Sequence, residues 1–302
     1  MKPIPVVFHI GSLQLHTYGI GLAVTFLFAF RYFERRLRRN NYPWQWLTGA
    51  FIWIIVAAVI GARIVHIAAN FSFYLHYPLQ MPQIWHGGLS SFGGLVFGMA
   101  CGIFLLHKRC PELPTLQGLD LVMPVLAASW AIGRLLGPQL MIAGGGHPTH
   151  QWFGMYYAGQ IGKRLPVPIF QSIDTFIIFG ILLWVEKRSN RQPPGLITAI
   201  AATLWGFIRF GQEYLWLAYP GHSGAVAVEV GGVVLCVAGI AWIVALSVKH
   251  PGMLKSLFVQ SPPALVTPPP EPAQPVDSES VGDAGSESAD DLGGDVTAGY
   301  SE

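Results

Sequence analysis

The chain has 302 residues, 52% hydrophobic and only 11% charged, with a formal net charge of +2 and a mean hydropathy of +0.46. A soluble domain carries roughly 25% charged residues, so this composition excludes an ordinary water-soluble globule and requires a membrane as solvent. The three cysteines exclude a disulfide framework: Cys101 and Cys236 fall inside apolar runs as packing residues, and Cys110, beside Lys108 and Arg109, is expected to face a reducing cytoplasm.

Seven apolar segments follow one another near residues 11–33, 47–69, 88–107, 117–136, 168–185, 195–217 and 226–248. Each is about the ~20 residues needed to cross a ~30 Å hydrocarbon core. The first is not read as a cleavable signal peptide, because its basic residues follow the apolar run and no A-x-A site ends it. The expected fold is all-α, a polytopic membrane protein of about seven transmembrane helices. Every second junction is basic: Arg31, Arg35, Arg36, Arg38 and Arg39 after the first segment, Lys108 and Arg109 after the third, Lys187, Arg188 and Arg191 after the fifth, Lys249 and Lys255 after the seventh. Basic loops stay in the cytoplasm, which predicts an amino terminus outside, a carboxyl terminus inside, and a periplasmic loop or cap over 137–167.

The membrane unit is expected to span 1–258. Residues 261–302 hold nine of the sixteen acids and no Lys or Arg, and open on "SPPALVTPPPEPAQP". A segment of that composition buries too little apolar surface to fold, so 259–302 reads as a disordered acidic cytoplasmic tail.

Three arginines lie inside or at the end of apolar segments: Arg63, Arg134 and Arg209. A central Arg costs roughly 2.5–3.5 kcal/mol on the insertion scale, so each is expected to be paired, hydrated or used. The topology puts all three toward the outer side, where they are expected to form one cationic pocket for a phosphate head group, because guanidinium binds phosphate oxygens bidentately. The plainer alternative is that each pairs with a buried acid or caps a helix carbonyl. Glu213, four residues after Arg209 on the same helical face, is placed to neutralise it.

Glycines concentrate nearby in "HGGLSSFGGLVFGMACG". Gly94, Gly98 and Gly102 have the spacing of close helix packing, while Gly87, Gly88, Gly93 and Gly94 open a loop whose N–H groups suit an anion. His16-Thr17-Tyr18-Gly19 gives the first helix a polar start, in which Tyr18 alone reads as an interfacial anchor. His147 and His150 lack the spacing of a metal site, and none is expected.

These stretches together resemble the prolipoprotein diacylglyceryl transferases of bacteria, over residues 8–248. "IGSLQLHTYGIG" is similar to the family's opening I-G…Y-G run, and "GARIVHI" to its G-x-R stretch. "WHGGLSSFGG" is similar to W-x-G-G-[LM]-[SA]-x-H-G-G, "DLVMPVLAASWAIGRLLG" to D-x-x-x-P followed by G-R, and "WGFIRFGQEYLW" to R-x-x-x-E-[FY]. The departures are specific. Phe92 stands at the family's His, Gly137 at its Asn and Trp216 at its second Arg, and "VPIFQSID" keeps Pro168 and Gln171 of H-P-x-Q-x-Y-E but not the Tyr-Glu pair.

The resemblance implies a multi-pass enzyme of the bacterial inner membrane. It would transfer the diacylglyceryl group of phosphatidylglycerol to the lipobox cysteine thiol of secreted prolipoproteins. Its implied partners are phosphatidylglycerol, the prolipoprotein signal peptide and membrane lipid, with no nucleic acid and no cofactor. Arg134 and Arg209 would hold the phosphate with Gly93 and Gly94, Tyr18 would bond a phosphate oxygen, Glu213 would orient Arg209, and His16 is the candidate base in place of the family's His, with His86 a second one. The departures leave a rival reading: a divergent paralogue that binds or transfers phospholipid without modifying lipoproteins.

Overall fold

The computed structural model describes residues 7–10, 13–83, 89–137, 144–157, 160–188, 193–213, 223–253 and 257. Backbone contacts separate Met1–Gln260 from Ser261–Glu302, and the acidic tail lies outside the described residues. Within the first unit the long helices are α1 (Thr17–Arg39), α2 (Gln45–Ala69), α4 (Ser91–Arg109), α5 (Thr115–Leu136), α6 (Val167–Arg188), α7 (Leu196–Gln212) and α8 (Ser223–Lys249). A short α3 (Phe71–His76) and a single 3-10 turn (Pro78–Gln80) follow α2. The protein is therefore helical, as its apolar runs require, and among the described residues four helices are long and apolar enough to cross a membrane: α2, α5, α6 and the stretch Val228–Lys249 of α8.

The first apolar segment differs from its expected form. Its residues Leu13–His16 form a strand, not a helix. β1 (Val7–Ile10) pairs antiparallel with β2 (Leu13–His16), Val7 opposite His16, and the helix begins only at Thr17. Leu13-Gln14-Leu15-His16 alternates apolar and polar with period two, which suits a strand. A second two-stranded pairing, β3 (Met155–Tyr156) with β4 (Lys163–Arg164), folds part of the 137–167 loop on itself, with Thr149 N–H donating to Lys163 O and Leu165 N–H to His147 O.

Small residues set the two closest helix crossings. A Cβ on Gly93 would strike the Gly61 carbonyl and the Val65 side chain, and Gly98 faces Ala58, so α4 lies against α2 backbone to backbone. Gly206 of α7 meets Gly232 and Cys236 of α8 in the same way. Membrane helices need such contacts because lipid supplies no hydrophobic drive between them. The Gly94 and Gly98 pair thus does the packing that its spacing suggests.

Tertiary contacts assign the helix termini to two ends of the unit. At one end Asp120, early in α5, accepts the amides of Gly195 (2.7 Å) and Thr198 (2.8 Å) and the Thr198 hydroxyl (2.6 Å), capping α7 from a neighbouring helix. A carboxylate at a helix start meets both unpaired N–H groups and the positive end of the dipole. Gly195 itself sits at φ 97°, a left-handed conformation that glycine adopts without strain. Near it Arg36 of α1 donates from Nε to Leu121 O at 2.8 Å and from both terminal nitrogens to Glu186 of α6 at 3.0 and 2.7 Å. Leu37, Leu47, Leu106, Cys110, Leu113 and Leu121 bury against each other at this end. The basic ends of α1, α4 and α6 therefore gather together with the start of α7.

Candidate active site

The opposite end collects the start of α1, the end of α5, the second turn of α6 and the end of α7. A Cβ on Gly21 would meet the Leu136 carbonyl, which brings the first turns of α1 against the last turn of α5. Arg134 lies on that last turn, half-buried, with its guanidinium 4.7 Å from the centre of the Trp130 ring. Trp130 in turn meets Trp205 edge to face at 5.4 Å.

Arg209, on the last turn of α7, pairs with Glu213 at 3.1 Å. Its other terminal nitrogen donates to Gln212 Oε1 at 3.4 Å, and that oxygen also accepts from Gln171 Nε2 at 3.2 Å. Gln212 then donates its own amide to Asp174 Oδ2 at 2.6 Å. Thr175 completes the cluster by donating to Gln171 O at 2.6 Å and Asp174 Oδ1 at 3.3 Å. Arg209 and Arg134 both act electrostatically on Asp174, and Glu229 of α8 acts on Glu213. Two guanidiniums from two helices thus lie within electrostatic range of one carboxylate, beside a network whose amides are buried. A buried polar chain of this kind is rigid when every member is satisfied. The Arg209 side chain remains 31% exposed, more than that of its partner Glu213.

The sequence-derived residues distribute unevenly over this arrangement. Arg134, Arg209 and Glu213 come together. Tyr18 starts α1 and His16 ends β2, on the chain segment that meets α5 here. His86 lies outside the described residues. Gly93 and Gly94 open α4 beside α2, their amides turned to Ser90: Gly93 N–H to its hydroxyl at 3.4 Å and Gly94 N–H to its carbonyl at 3.1 Å. Arg63 has a different set of partners. It donates to Met81 O at 2.8 Å and Gln80 O at 2.6 Å and lies over Tyr74, so for this residue the plainer alternative, carbonyl capping, describes what it does. Phe92, at the family's His position, is 69% exposed.

Asp174 and Gln212 are part of the site and were not singled out from sequence. A signal was there: Gln171, Asp174 and Thr175 fall at helical spacing inside an apolar run, and polar groups on one face of a membrane helix point inward.

Comparison with known proteins agrees with the resemblance. The prolipoprotein diacylglyceryl transferase family matches residues 5–248. The phosphatidylglycerol–prolipoprotein diacylglyceryl transferase of Fervidobacterium nodosum is 32% identical over 249 residues, covering 78% of this chain and 82% of that one. That of Tolumonas auensis is 26% identical over 231 residues, 75% of this chain and 88% of the relative. That of Synechococcus elongatus is 24% identical over 272 residues, 84% and 92%.

Proposed function

The chain belongs to the prolipoprotein diacylglyceryl transferase family and is a transferase, and from that premise we propose that it moves the diacylglyceryl group of phosphatidylglycerol to the lipobox cysteine of a prolipoprotein. The cysteine thiolate attacks the glyceryl carbon that bears the phosphate. The C–O bond breaks, a thioether forms, glycerol phosphate leaves, and the thiol proton passes to a base. The catalyst must hold the departing phosphate and lower the cost of the thiolate.

The observation that carries this reading is that Arg209, paired with Glu213, and Arg134 on a second helix both lie within electrostatic range of Asp174. Two guanidiniums from separate helices match the two-point geometry of a phosphate ester. Glu213 keeps the Arg209 fork oriented and gives it up when phosphate competes for the same N–H groups. Tyr18 adds a phosphate contact and His16 serves as base, both from the segment beside the end of α5. Gly93 and Gly94 belong to the wall next to the head group, holding α4 on α2.

The reading includes the topology. Seven spans in the bacterial inner membrane, amino terminus outside, put this site toward the periplasm, where secreted precursors arrive. The gathering of basic helix ends at the other face supports that direction. The domain of 1–258 carries the reaction.

The test is complementation. Cells depleted of their own transferase express this chain, and a reporter lipoprotein is analysed by mass for thioether-linked diacylglycerol. Modified reporter is the expected result. Unmodified reporter at good membrane expression, with phosphatidylglycerol still bound, would replace the transferase reading by that of a lipid-binding paralogue.

A further inference from the structure

The face opposite Arg134 and Arg209 holds a cavity of about 330 Å³ between the last turns of α1 and α6. Pockets that hold small ligands begin at roughly 300 Å³. One wall is fixed by Arg36, which donates to both Glu186 carboxylate oxygens and to Leu121 O. That pair cancels its own charge. Arg39 and Lys187 also line the cavity, both are exposed, and among the described residues neither forms an ion pair. The cavity therefore presents two uncompensated cations. Its remaining walls include the Tyr32 ring, which packs edge-on to Phe179 at 6.1 Å, and Leu183. The composition is cationic at the mouth and apolar at the side, at the end of two apolar helices where head groups lie.

We propose that this cavity is a second lipid site, which takes the phosphate ester of an anionic phospholipid from the leaflet on the basic face. Arg39 and Lys187 neutralise the phosphate, and Tyr32 and Leu183 receive the glycerol and first acyl carbons. The site is separate from the catalytic cluster and does not depend on the activity proposed above. Basic pockets between membrane helices recognise head groups in this manner, each Lys or Arg adding about one kcal/mol near the surface.

The experiment uses the full chain in phosphatidylcholine nanodiscs titrated with phosphatidylglycerol, with retained lipid counted by native mass spectrometry. Arg134→Ala with Arg209→Ala removes the contribution of the catalytic site. In that background the unmodified cavity is expected to keep one phosphatidylglycerol. Arg39→Gln with Lys187→Gln weakens retention on the order of fivefold per charge. Leu183→Trp, which fills the cavity without altering charge, abolishes it. Lys249→Gln with Lys108→Gln, an equal change of charge away from the cavity, leaves it intact. Equal loss from Lys249→Gln with Lys108→Gln, or full retention in Leu183→Trp, overturns the proposal in favour of diffuse surface charge. Displacement of the lipid by free glycerol phosphate overturns the lipid as occupant and leaves a site for soluble phosphate esters. Arg39 and Lys187 are exposed, so their substitution leaves the core packing as it is.

Discussion

The two ends of the helical unit both bury arginines against carboxylates, and they do so differently. On the basic face Arg36 makes three hydrogen bonds, to Leu121 O and to both Glu186 oxygens, at 2.7–3.0 Å. On the opposite face Arg209 makes one ion pair at 3.1 Å and one long bond at 3.4 Å. A guanidinium held by three short bonds to two neighbouring helices acts as a strut, whereas one held by a single ion pair and a long bond exchanges partners more readily. Arg63, engaged by two carbonyls and a tyrosine ring, belongs with Arg36. The contrast teaches that the cost of placing an arginine in a membrane helix marks a residue as needed, while how firmly its guanidinium is held distinguishes a strut from a group open to exchange.

Substituting the two kinds of arginine breaks the comparison if it is wrong. Arg209→Ala or Arg134→Ala is expected to lower diacylglyceryl transfer by about 10²–10³-fold, the usual effect of removing one donor to a developing anion. Membrane expression and thermal midpoint stay close to those of the unmodified chain. Arg36→Gln is expected to do the reverse, lowering the thermal midpoint in detergent while transfer per folded molecule persists. Equal loss of transfer in Arg36→Gln at full stability would erase the distinction.

Asp120 and Asp174 extend the same contrast to the acids. Asp120 accepts three hydrogen bonds from the start of α7, so Asp120→Ala leaves two amides and a hydroxyl unpaired in a buried site. The expected loss is about 2–3 kcal/mol, read as reduced resistance to heat or denaturing detergent, with Asp120→Asn less severe because its oxygen still accepts. Asp174 instead anchors Gln212 and lies within the fields of Arg134 and Arg209. Asp174→Asn is expected to cut transfer about tenfold, within the range for misplacing a catalytic group, with little change in the thermal midpoint.

The helices were legible because a run of about twenty apolar residues has few alternatives in a membrane. Their pairing was legible only in part. The Gly94–Gly98 spacing announced a close crossing, but not that α2 would supply Gly61 and Ala58 opposite. Arg134, Arg209 and Glu213 were readable as a group because each is costly where it stands. Gln212 was not, since its meaning comes from Gln171 and Asp174, about forty residues away on α6, and such a contact exists only once α6 and α7 lie side by side. The start of α1 departs from its expected place for a local reason: Leu13-Gln14-Leu15-His16 continues the apolar composition while changing its period from helix to strand. Arg63 looked like the other two arginines because sequence shows that a charge is buried, not which carbonyls receive it.

The smallest expected effect concerns Cys110, which closes α4 on the basic face and is 1% exposed. Burial is the main cause that raises its thiol above the ordinary range, and the Glu112 charge adds to it. A thiol whose neutral form is favoured holds little thiolate at neutral pH, and only the thiolate reacts. The adjacent Lys108 and Arg109 would act in the opposite direction if the side chain faced water. Native protein treated with a maleimide at pH 7 is therefore expected to leave Cys110 unlabelled, while unfolded protein reacts at the rate of a free cysteine. Raising the pH to 9 should accelerate the unfolded form far more than the native one, because the folded thiol titrates higher. Rapid native labelling at pH 7 would mean that the packing of Leu37, Leu47 and Leu113 around Cys110 opens readily. The basic face would then be the looser end of the unit, and Arg36 with Glu186 would no longer describe a rigid support.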